Sequence, residues 1–240
     1  MGRYNIRSRR RVRGVFMPKS KLLALTVSRL LMGVGMFTLL LFLPAGTWNY
    51  WQAWMYMGVL FIPMLFVLVY LITKDPELLE RRMRMREERK EQRNILRYSG
   101  IIFLLAYLIP GFDIRYGWSN MPAGISIAAG VIVFLAYLLV FRTMQVNSFL
   151  SRVIEIASGQ KVIDTDVYGI VRHPMYVGMI VLYAASPIAL GSWWAVIPAL
   201  FIIPVIAARI LDEEVALENE LTGYKEYKQK VKYRLIPFVW

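Results

Sequence analysis

The fold is decided by the stretch MYVGMIVLYAASPIALGSWWAVIPALFIIPVIAA, residues 175–208. A helix rises about 1.5 Å per residue and needs about 20 apolar residues to cross the hydrocarbon core of a bilayer. This run is too long for one span, and Pro187, Gly191-Ser192 and Trp193-Trp194 interrupt it. It therefore predicts two membrane helices joined by a tight turn, a helical hairpin.

Four more apolar segments precede the hairpin in this chain of 240 residues, which is 58% hydrophobic. The six segments are 22–43, 51–72, 98–110, 122–141, 175–190 and 193–208. The third is short unless its helix continues through Gly111-Phe112, and the last two are slightly short. We therefore predict an all-α integral membrane protein, a bundle of five to six transmembrane helices.

The basic residues orient this bundle. Of the 29 Lys and Arg residues, all but Arg29, Arg115 and Arg142 fall in residues 1–21, 74–97, 143–174 and 209–240. With six spans these regions share one side, and cytoplasmic loops carry an excess of Lys and Arg, so both termini are predicted to be cytoplasmic. An aromatic belt is expected near the opposite ends, from Trp48, Trp51, Trp54, Trp118, Trp193 and Trp194.

The same composition limits the classes of partner. The net charge of +13 lies at membrane flanks, which favours anionic lipid headgroups over nucleic acid. The absence of cysteine excludes disulfides, thiolate metal sites and a thiol nucleophile. We expect neither a nucleic-acid partner nor a metal.

Four regions follow from these patterns. They are a basic disordered arm (1–21), two transmembrane helices (22–73), a charged cytoplasmic connector (74–97) and a transmembrane core (98–240). Asp75 before Pro76 predicts a helix start, because a capping oxygen precedes a ring already at helical φ. The connector is interpreted as a solvated or interfacial helix, with a lid over the active site as the alternative.

The most informative polar stretch, residues 159–176, lies just before the hairpin and holds the only histidine, His173. Pro174 fits the first helical position, so His173 lies at a helix start whose free amide groups favour an anionic or polar ligand. Arg209 and Glu213 follow the hairpin, where carboxylates are costly unless solvated or paired.

These side chains could hold a zwitterionic, aromatic-bearing, cationic cofactor. A carboxylate could bind an α-amino group, an arginine could bind a carboxylate or phosphate, and tyrosine rings could face a sulfonium. Each also has a simpler reading: a capping histidine, a solvated carboxylate pair, a snorkelling arginine and interfacial tyrosines. The functional reading depends on their occurrence together on one side of the membrane.

The order GQKVI, Tyr168, RHPMYVG, an apolar hairpin, Arg209 with Glu213-Glu214, and YKEY resembles the isoprenylcysteine carboxyl methyltransferase family, in particular its small prokaryotic members. The resemblance covers about residues 74–240. It departs at Thr165-Asp166, where many relatives have Thr-Gly or Ser-Gly, although Asp tolerates turn geometry better than most residues.

The resemblance implies an integral membrane methyltransferase in which the cytoplasmic loop and the C-terminal helix form a pocket for S-adenosyl-L-methionine. Arg209 would lie near the acceptor as the catalytic residue. The cofactor would be bound by Gln160, Lys161, Val162, Ile163, Tyr168, His173, Pro174, Met175, Tyr176 and Glu213.

The acceptor is expected to be lipophilic or small, and an isoprenylcysteine-like carboxylate is the leading candidate. An NADPH-dependent isoprenoid or sterol reductase is the alternative enzyme, with Lys161 and Arg172 available for the 2′-phosphate. A non-catalytic, lipid-binding membrane protein is the third reading.

Overall fold

The computed structural model describes residues 17–83, 90–150 and 159–240, and over these ranges the chain is helical without strands. The helices are α1 (Lys19–Ala45), α2 (Trp51–Lys74), α3 (Pro76–Met83), α4 (Lys90–Tyr116), α5 (Ala123–Val146), α6 (Pro174–Ala189), α7 (Val196–Leu200), α8 (Ile202–Glu220) and α9 (Tyr224–Lys230). A 3₁₀ turn, Asp166–Gly169, precedes α6. Residues 1–16 of the predicted disordered arm lie outside the described residues, and α1 begins at Lys19.

In the described part of the chain, four helices are long and apolar enough to cross a membrane, which confirms the predicted all-α membrane fold. They are α1, α2, the Arg97–Tyr116 part of α4, and α5. The third segment gains its length because α4 runs through Pro110 and Gly111 to Tyr116. Helix α6 is apolar but has only 16 residues, about 24 Å of helix.

The hairpin forms as predicted, although its second arm is interrupted. Helix α6 ends at Ala189, and Gly191 takes the left-handed conformation (φ 84°) that glycine adopts without strain. The second arm is α7 followed by α8, with a break at Phe201. Pro204 explains the break, since it has no amide hydrogen for the carbonyl of Leu200.

Helices α5 and α6 approach each other closely at Gly178. A Cβ atom on Gly178 would lie 2.7 Å from Cγ2 of Val140 and 3.0 Å from the carbonyl oxygen of Ala136. Only glycine allows this approach without a shift of the neighbouring backbone. The contact fixes the first turns of α6 against the end of α5.

The two ends of the bundle differ in chemistry. At one end α2 stops at Lys74, and the start of α3 is fixed by Asp75, whose Oδ1 accepts the Leu78 amide hydrogen at 2.9 Å. This confirms the helix start predicted from Asp75-Pro76. At the other end a buried carboxylate, Asp113, accepts hydrogen bonds from Ser119 (2.6 and 2.7 Å) and Ser192 (2.5 Å).

Candidate functional site

A polar pocket lies at the end of the bundle where α5 stops and α6 begins. It is lined by the chain just after α5, the segment before α6, the first turn of α6, and residues of α8 and α9. The lining includes all the site residues predicted from the sequence: Gln160, Lys161, Val162, Ile163, Tyr168, His173, Pro174, Met175, Tyr176, Arg209 and Glu213. The structure thus brings all eleven predicted site residues to one cavity, and their roles stay predictions.

Tyr176 links Arg209, predicted to lie near the methyl acceptor, to Glu213, predicted to bind the cofactor. Its hydroxyl accepts a hydrogen bond from Nε of Arg209 (2.8 Å) and donates one to Oε2 of Glu213 (2.6 Å). The Tyr176 side chain is buried, while Arg209 and Glu213 are half-buried on the pocket wall. The phenol therefore fixes both charged groups, which come from successive turns of α8.

Glu213 differs from the other carboxylates near the pocket. Among the described residues, Tyr176 is its hydrogen-bond donor, and no Lys or Arg nitrogen lies within 4 Å of it. An ionised carboxylate on a pocket wall is stabilised by an opposite charge or by further donors. Glu213 therefore presents an acceptor for a cationic, hydrogen-bond-donating ligand group.

The neighbouring carboxylate, Glu214, is instead the centre of a buried ion cluster. Its Oε1 accepts from Nε of Arg172 (2.7 Å) and lies 3.2 Å from Nε2 of His173, and its Oε2 accepts from Nε of Arg234 (3.0 Å). Burial would raise the pKa of the Glu214 carboxyl, but the hydrogen bonds and charges of His173 and Arg172 lower it to about 2. The interpretation of the pair as solvated is therefore wrong for Glu214.

Arg172 and His173 also anchor the C-terminal segment to the start of α6. Nη1 of Arg172 donates to the carbonyls of Val231 and Lys232, both at 2.7 Å. The amide groups of Arg172 and His173 donate to the carbonyls of Tyr233 (2.9 Å) and Arg234 (3.0 Å). The segment after α9 thus forms part of the site's support.

The start of α6 offers fewer free donors than the sequence indicates. Pro174 has no amide hydrogen, and the amide groups of Tyr176 and Val177 donate to the carbonyl of His173 at 3.0 and 3.3 Å. Anion binding by free amides of this helix therefore has little support. The recognition groups are side chains.

The segment before α6 is fixed on two sides. The Tyr168 hydroxyl accepts from Asn147 of α5 (3.2 Å), and the Tyr168 carbonyl accepts from the Tyr227 hydroxyl of α9 (2.8 Å). Burial raises the pKa of Tyr168 to about 12, so its phenol stays neutral. Asp166 takes φ 56°, a left-handed conformation that aspartate adopts more readily than most residues, and its carboxylate pairs with Arg142 at 2.5 Å.

Sequence reasoning assigned no role to several lining residues. Tyr224 and Tyr227 belong to the YKEY stretch and close the pocket from α9, whereas Asn147, Phe149 and Leu150 approach it from the end of α5. The YKEY stretch was the only signal for the first pair. The last three carry no motif and are brought close by the packing of α5 on α6.

A second, larger cavity adjoins this pocket. It encloses about 540 Å³ between α1, α2, α3, α4, α5, α6 and α8, with a mainly apolar lining. The pocket and the cavity share Met175, Tyr176 and Arg209, so they meet at the hydrogen-bonded pair of Tyr176 and Arg209. In the described part of the chain, no group of three or more His, Asp or Glu residues could hold a metal ion.

These features define a class: an all-α integral membrane protein in which a polar pocket and an apolar cavity share part of their walls. Residues 128–219 match the model of the isoprenylcysteine carboxyl methyltransferase (ICMT) family, which confirms the resemblance inferred from the sequence. The match extends from α5 into α8 and contains all eleven predicted site residues. The matched family is one of integral membrane methyltransferases. None of the curated proteins matches the chain.

Proposed function

We propose that the protein transfers a methyl group from S-adenosyl-L-methionine to a lipophilic acceptor, and that the acceptor atom is a carboxylate oxygen. The observation that carries the proposal is Glu213, a pocket carboxylate without a cationic partner among the described residues, linked through Tyr176 to Arg209. It matches a ligand that brings its own positive charge.

The donor set fits the proposed cofactor. Glu213 would bind the α-amino group, and the rings of Tyr168 and Tyr224 provide aromatic faces beside it. Val162 and Leu217 add apolar lining for a heterocycle. When bound, S-adenosyl-L-methionine supplies a methyl group on a sulfonium, which a carboxylate oxygen can take by direct displacement.

The protein's own contribution is then mainly placement. Arg209 pairs with the acceptor carboxylate, and Tyr176 holds Arg209 at a fixed distance from Glu213. A carboxylate is nucleophilic at neutral pH, so this site needs no strong base. Bringing two reactants together in aligned geometry supplies much of the rate enhancement in such a reaction.

The acceptor reaches this point from the membrane. The apolar cavity lies beside Arg209 and is enclosed by helices of the bundle, so a long apolar chain would enter between them. In this proposal the polar pocket lies on the cytoplasmic side, where the cofactor is available, and the basic flanks support that orientation.

The reductase alternative finds less support in the site. Arg172, a candidate for the 2′-phosphate, is buried and committed to Glu214 and to two backbone carbonyls. Glu213 would repel the phosphates of NADPH. Neither residue suits a dinucleotide with three phosphate groups.

The test is isothermal titration of detergent-solubilised protein with S-adenosylhomocysteine and, in parallel, with NADPH. We expect saturable binding of the homocysteine compound and a loss of about 10- to 100-fold in affinity for Glu213→Gln, the range of one charge-assisted hydrogen bond. The matched control is Glu218→Gln on the same helix, since Glu218 pairs with Lys228 and does not line the pocket. Binding of NADPH alone would overturn the proposal.

The role of Arg209 is tested with S-adenosylmethionine and N-acetyl-S-farnesylcysteine as the acceptor. Arg209→Ala is expected to lose at least about 100-fold in turnover while binding S-adenosylhomocysteine normally, because a single electrostatic contact at the reacting group contributes on that order. Unchanged turnover would remove Arg209 from the mechanism.

A further inference from the structure

Three large apolar side chains are exposed in a short turn after α9, residues 236–239. They are Ile236, Phe238 and Val239. The exposed fraction is 89% for Phe238 and 75% for Val239, and Phe238 has the highest value among the large apolar residues that the structure describes. Clustered apolar surface that is rimmed by polar residues marks a contact with a partner or a membrane.

The backbone of the 236–239 turn is well hydrogen-bonded. The amide groups of Arg234 and Leu235 donate to the main-chain oxygen of Trp240, both at 2.9 Å, and the amide of Val239 donates to the carbonyl of Ile236 at 3.1 Å. These bonds fix the direction of the exposed side chains. The apolar surface therefore belongs to a built element.

Phe238 has an unfavourable backbone conformation for so bulky a side chain. Its φ of 65° lies in the left-handed region, which such residues rarely adopt. A residue keeps such a conformation only where its surroundings impose it. The Phe238 ring meets the Tyr233 ring, with centroids 5.2 Å apart, and the residue stays exposed. Burial of the Phe238 ring in a partner would offset the backbone cost.

The turn adjoins helices at the depth where they cross the membrane. Leu235, just before the turn, is buried in an apolar cluster with Ile102 of α4 and Ile210 of α8, and Trp240, just after it, packs against that cluster. Ile102 lies five residues, about 7.5 Å, inside the membrane-spanning part of α4 that begins at Arg97. The turn is thus attached to the bundle close to the point where α4 leaves the membrane.

Lipid is the partner that is present at this depth. A helix that crosses a bilayer presents apolar side chains to the acyl chains around it. The spanning part of α4 has such exposed side chains next to Ile102, namely Ile101, Leu104 and Leu105. A turn held against this part of the bundle meets the same bilayer.

The segment that carries the turn also belongs to the ion cluster around Glu214. Nε of Arg234 donates to Oε2 of Glu214 at 3.0 Å, and the Arg234 guanidinium lies over the Trp240 ring, 5.1 Å from its centroid. The Arg234 carbonyl accepts from the His173 amide at 3.0 Å. An anchor on the turn would therefore also hold Arg234 against Glu214 and the start of α6.

From these observations we propose that the 236–239 turn inserts into the boundary between the headgroups and the acyl chains of the bilayer, with Phe238 and Val239 as the inserted side chains. Interfacial segments bury their apolar face by about 5–10 Å in this way. The inserted turn anchors the segment that carries Arg234, so the membrane itself supports the ion cluster beside the pocket. This contact depends neither on the transferred group nor on the cofactor.

The depth of the turn is measured with a nitroxide on one introduced cysteine, since the chain has no cysteine of its own. Phe238→Cys is labelled and reconstituted in vesicles of phosphatidylcholine and phosphatidylglycerol. Power-saturation EPR then compares collisions with oxygen, which concentrates in the bilayer, and with a water-soluble nickel chelate. The matched references are Leu104→Cys, exposed on the spanning part of α4, and Gln229→Cys, exposed on α9.

We expect the label at position 238 to collide mainly with oxygen, as at position 104, whereas the label at position 229 collides mainly with nickel. A nickel preference at position 238 would place the turn in water. Few collisions with either reagent would indicate a protein contact, such as a second copy of the chain. Either result would overturn the proposal, and Val239→Cys gives a second reading if Phe238→Cys does not fold.

Hydrogen exchange of residues 231–240 in the same vesicles tests the anchoring role. Asparagine tolerates a left-handed φ better than phenylalanine, so Phe238→Asn would slow exchange if the turn lay in water. We expect the opposite, exchange at least about tenfold faster, because the variant loses the burial of an aromatic ring in lipid. Phe238→Leu keeps an apolar side chain and should exchange at nearly the wild-type rate. Slower or unchanged exchange in Phe238→Asn would contradict the anchor.

Discussion

Glu213 and Glu214 are adjacent in sequence, yet their replacement by glutamine should lower the stability of the fold by different amounts. Glu214→Gln removes the negative charge from the buried ion cluster and leaves the buried Arg172 without an anionic partner. Breaking a buried pair in this way costs about 3–5 kcal/mol. The lowering of the Glu214 pKa from 4.5 to about 2 corresponds to a free energy of the same order, roughly 3 kcal/mol.

We therefore expect Glu214→Gln to lower the free energy of unfolding by about 3 kcal/mol. Glu213→Gln should lower it by about 1 kcal/mol or less, because the amide oxygen can still accept from Tyr176. Unfolding is followed by circular dichroism as dodecyl sulfate is titrated into dodecyl maltoside micelles. The reasoning is refuted if both variants are equally stable, or if Glu213→Gln is the less stable one.

Three further predictions follow from the same geometry. Acid should destabilise the wild-type protein between about pH 4.5 and 2, because the pKa of Glu214 is lower in the folded protein than in the unfolded chain. The stabilisation that the ionised carboxylate provides is complete above about pH 4.5 and disappears as the carboxylate is protonated. A pH series should show a smaller loss of stability in Glu214→Gln. Tyr176→Phe should weaken S-adenosylhomocysteine binding by about tenfold and lower turnover further, because the phenol positions Glu213 and Arg209; titration and turnover measure the two effects, and an unchanged affinity would contradict this. Gly178→Ala should destabilise the bundle by about 1–3 kcal/mol through its contact with Val140, whereas Gly35→Ala, with nothing within 4 Å, should be neutral in the same unfolding assay.

The helices and the identity of the pocket residues could be predicted from the sequence because both depend on local patterns. Apolar runs of sufficient length define α1, α2 and α5, and Asp75-Pro76 marks the start of α3. The motif from Gln160 to Tyr176 and the Arg209 to Glu213 spacing identified eleven residues that line one cavity.

The sequence did not predict that Glu213 lines the pocket while Glu214 is buried in an ion cluster. Their side chains differ in partners because Arg172 and His173 before α6 and Arg234 after α9 all reach Glu214, contacts between residues 42, 41 and 20 positions apart. The apolar cavity was also not predictable from the sequence, because Arg29 and Tyr176 reach it from helices that are distant in sequence. Such contacts depend on tertiary packing rather than on any periodic pattern.

The shortness of α6 explains why a buried carboxylate, Asp113, lies where the hairpin turns. At about 24 Å, α6 is shorter than a bilayer's hydrocarbon thickness of roughly 30 Å, so the chain would reverse before it reaches the headgroups. Polar groups at that depth have no water to bind. Asp113 accepts a hydrogen bond from the Ser192 hydroxyl, and the Tyr50 hydroxyl donates to the Leu190 carbonyl at 2.6 Å. Side chains of the protein therefore make the hydrogen bonds that water would otherwise make where the hairpin turns.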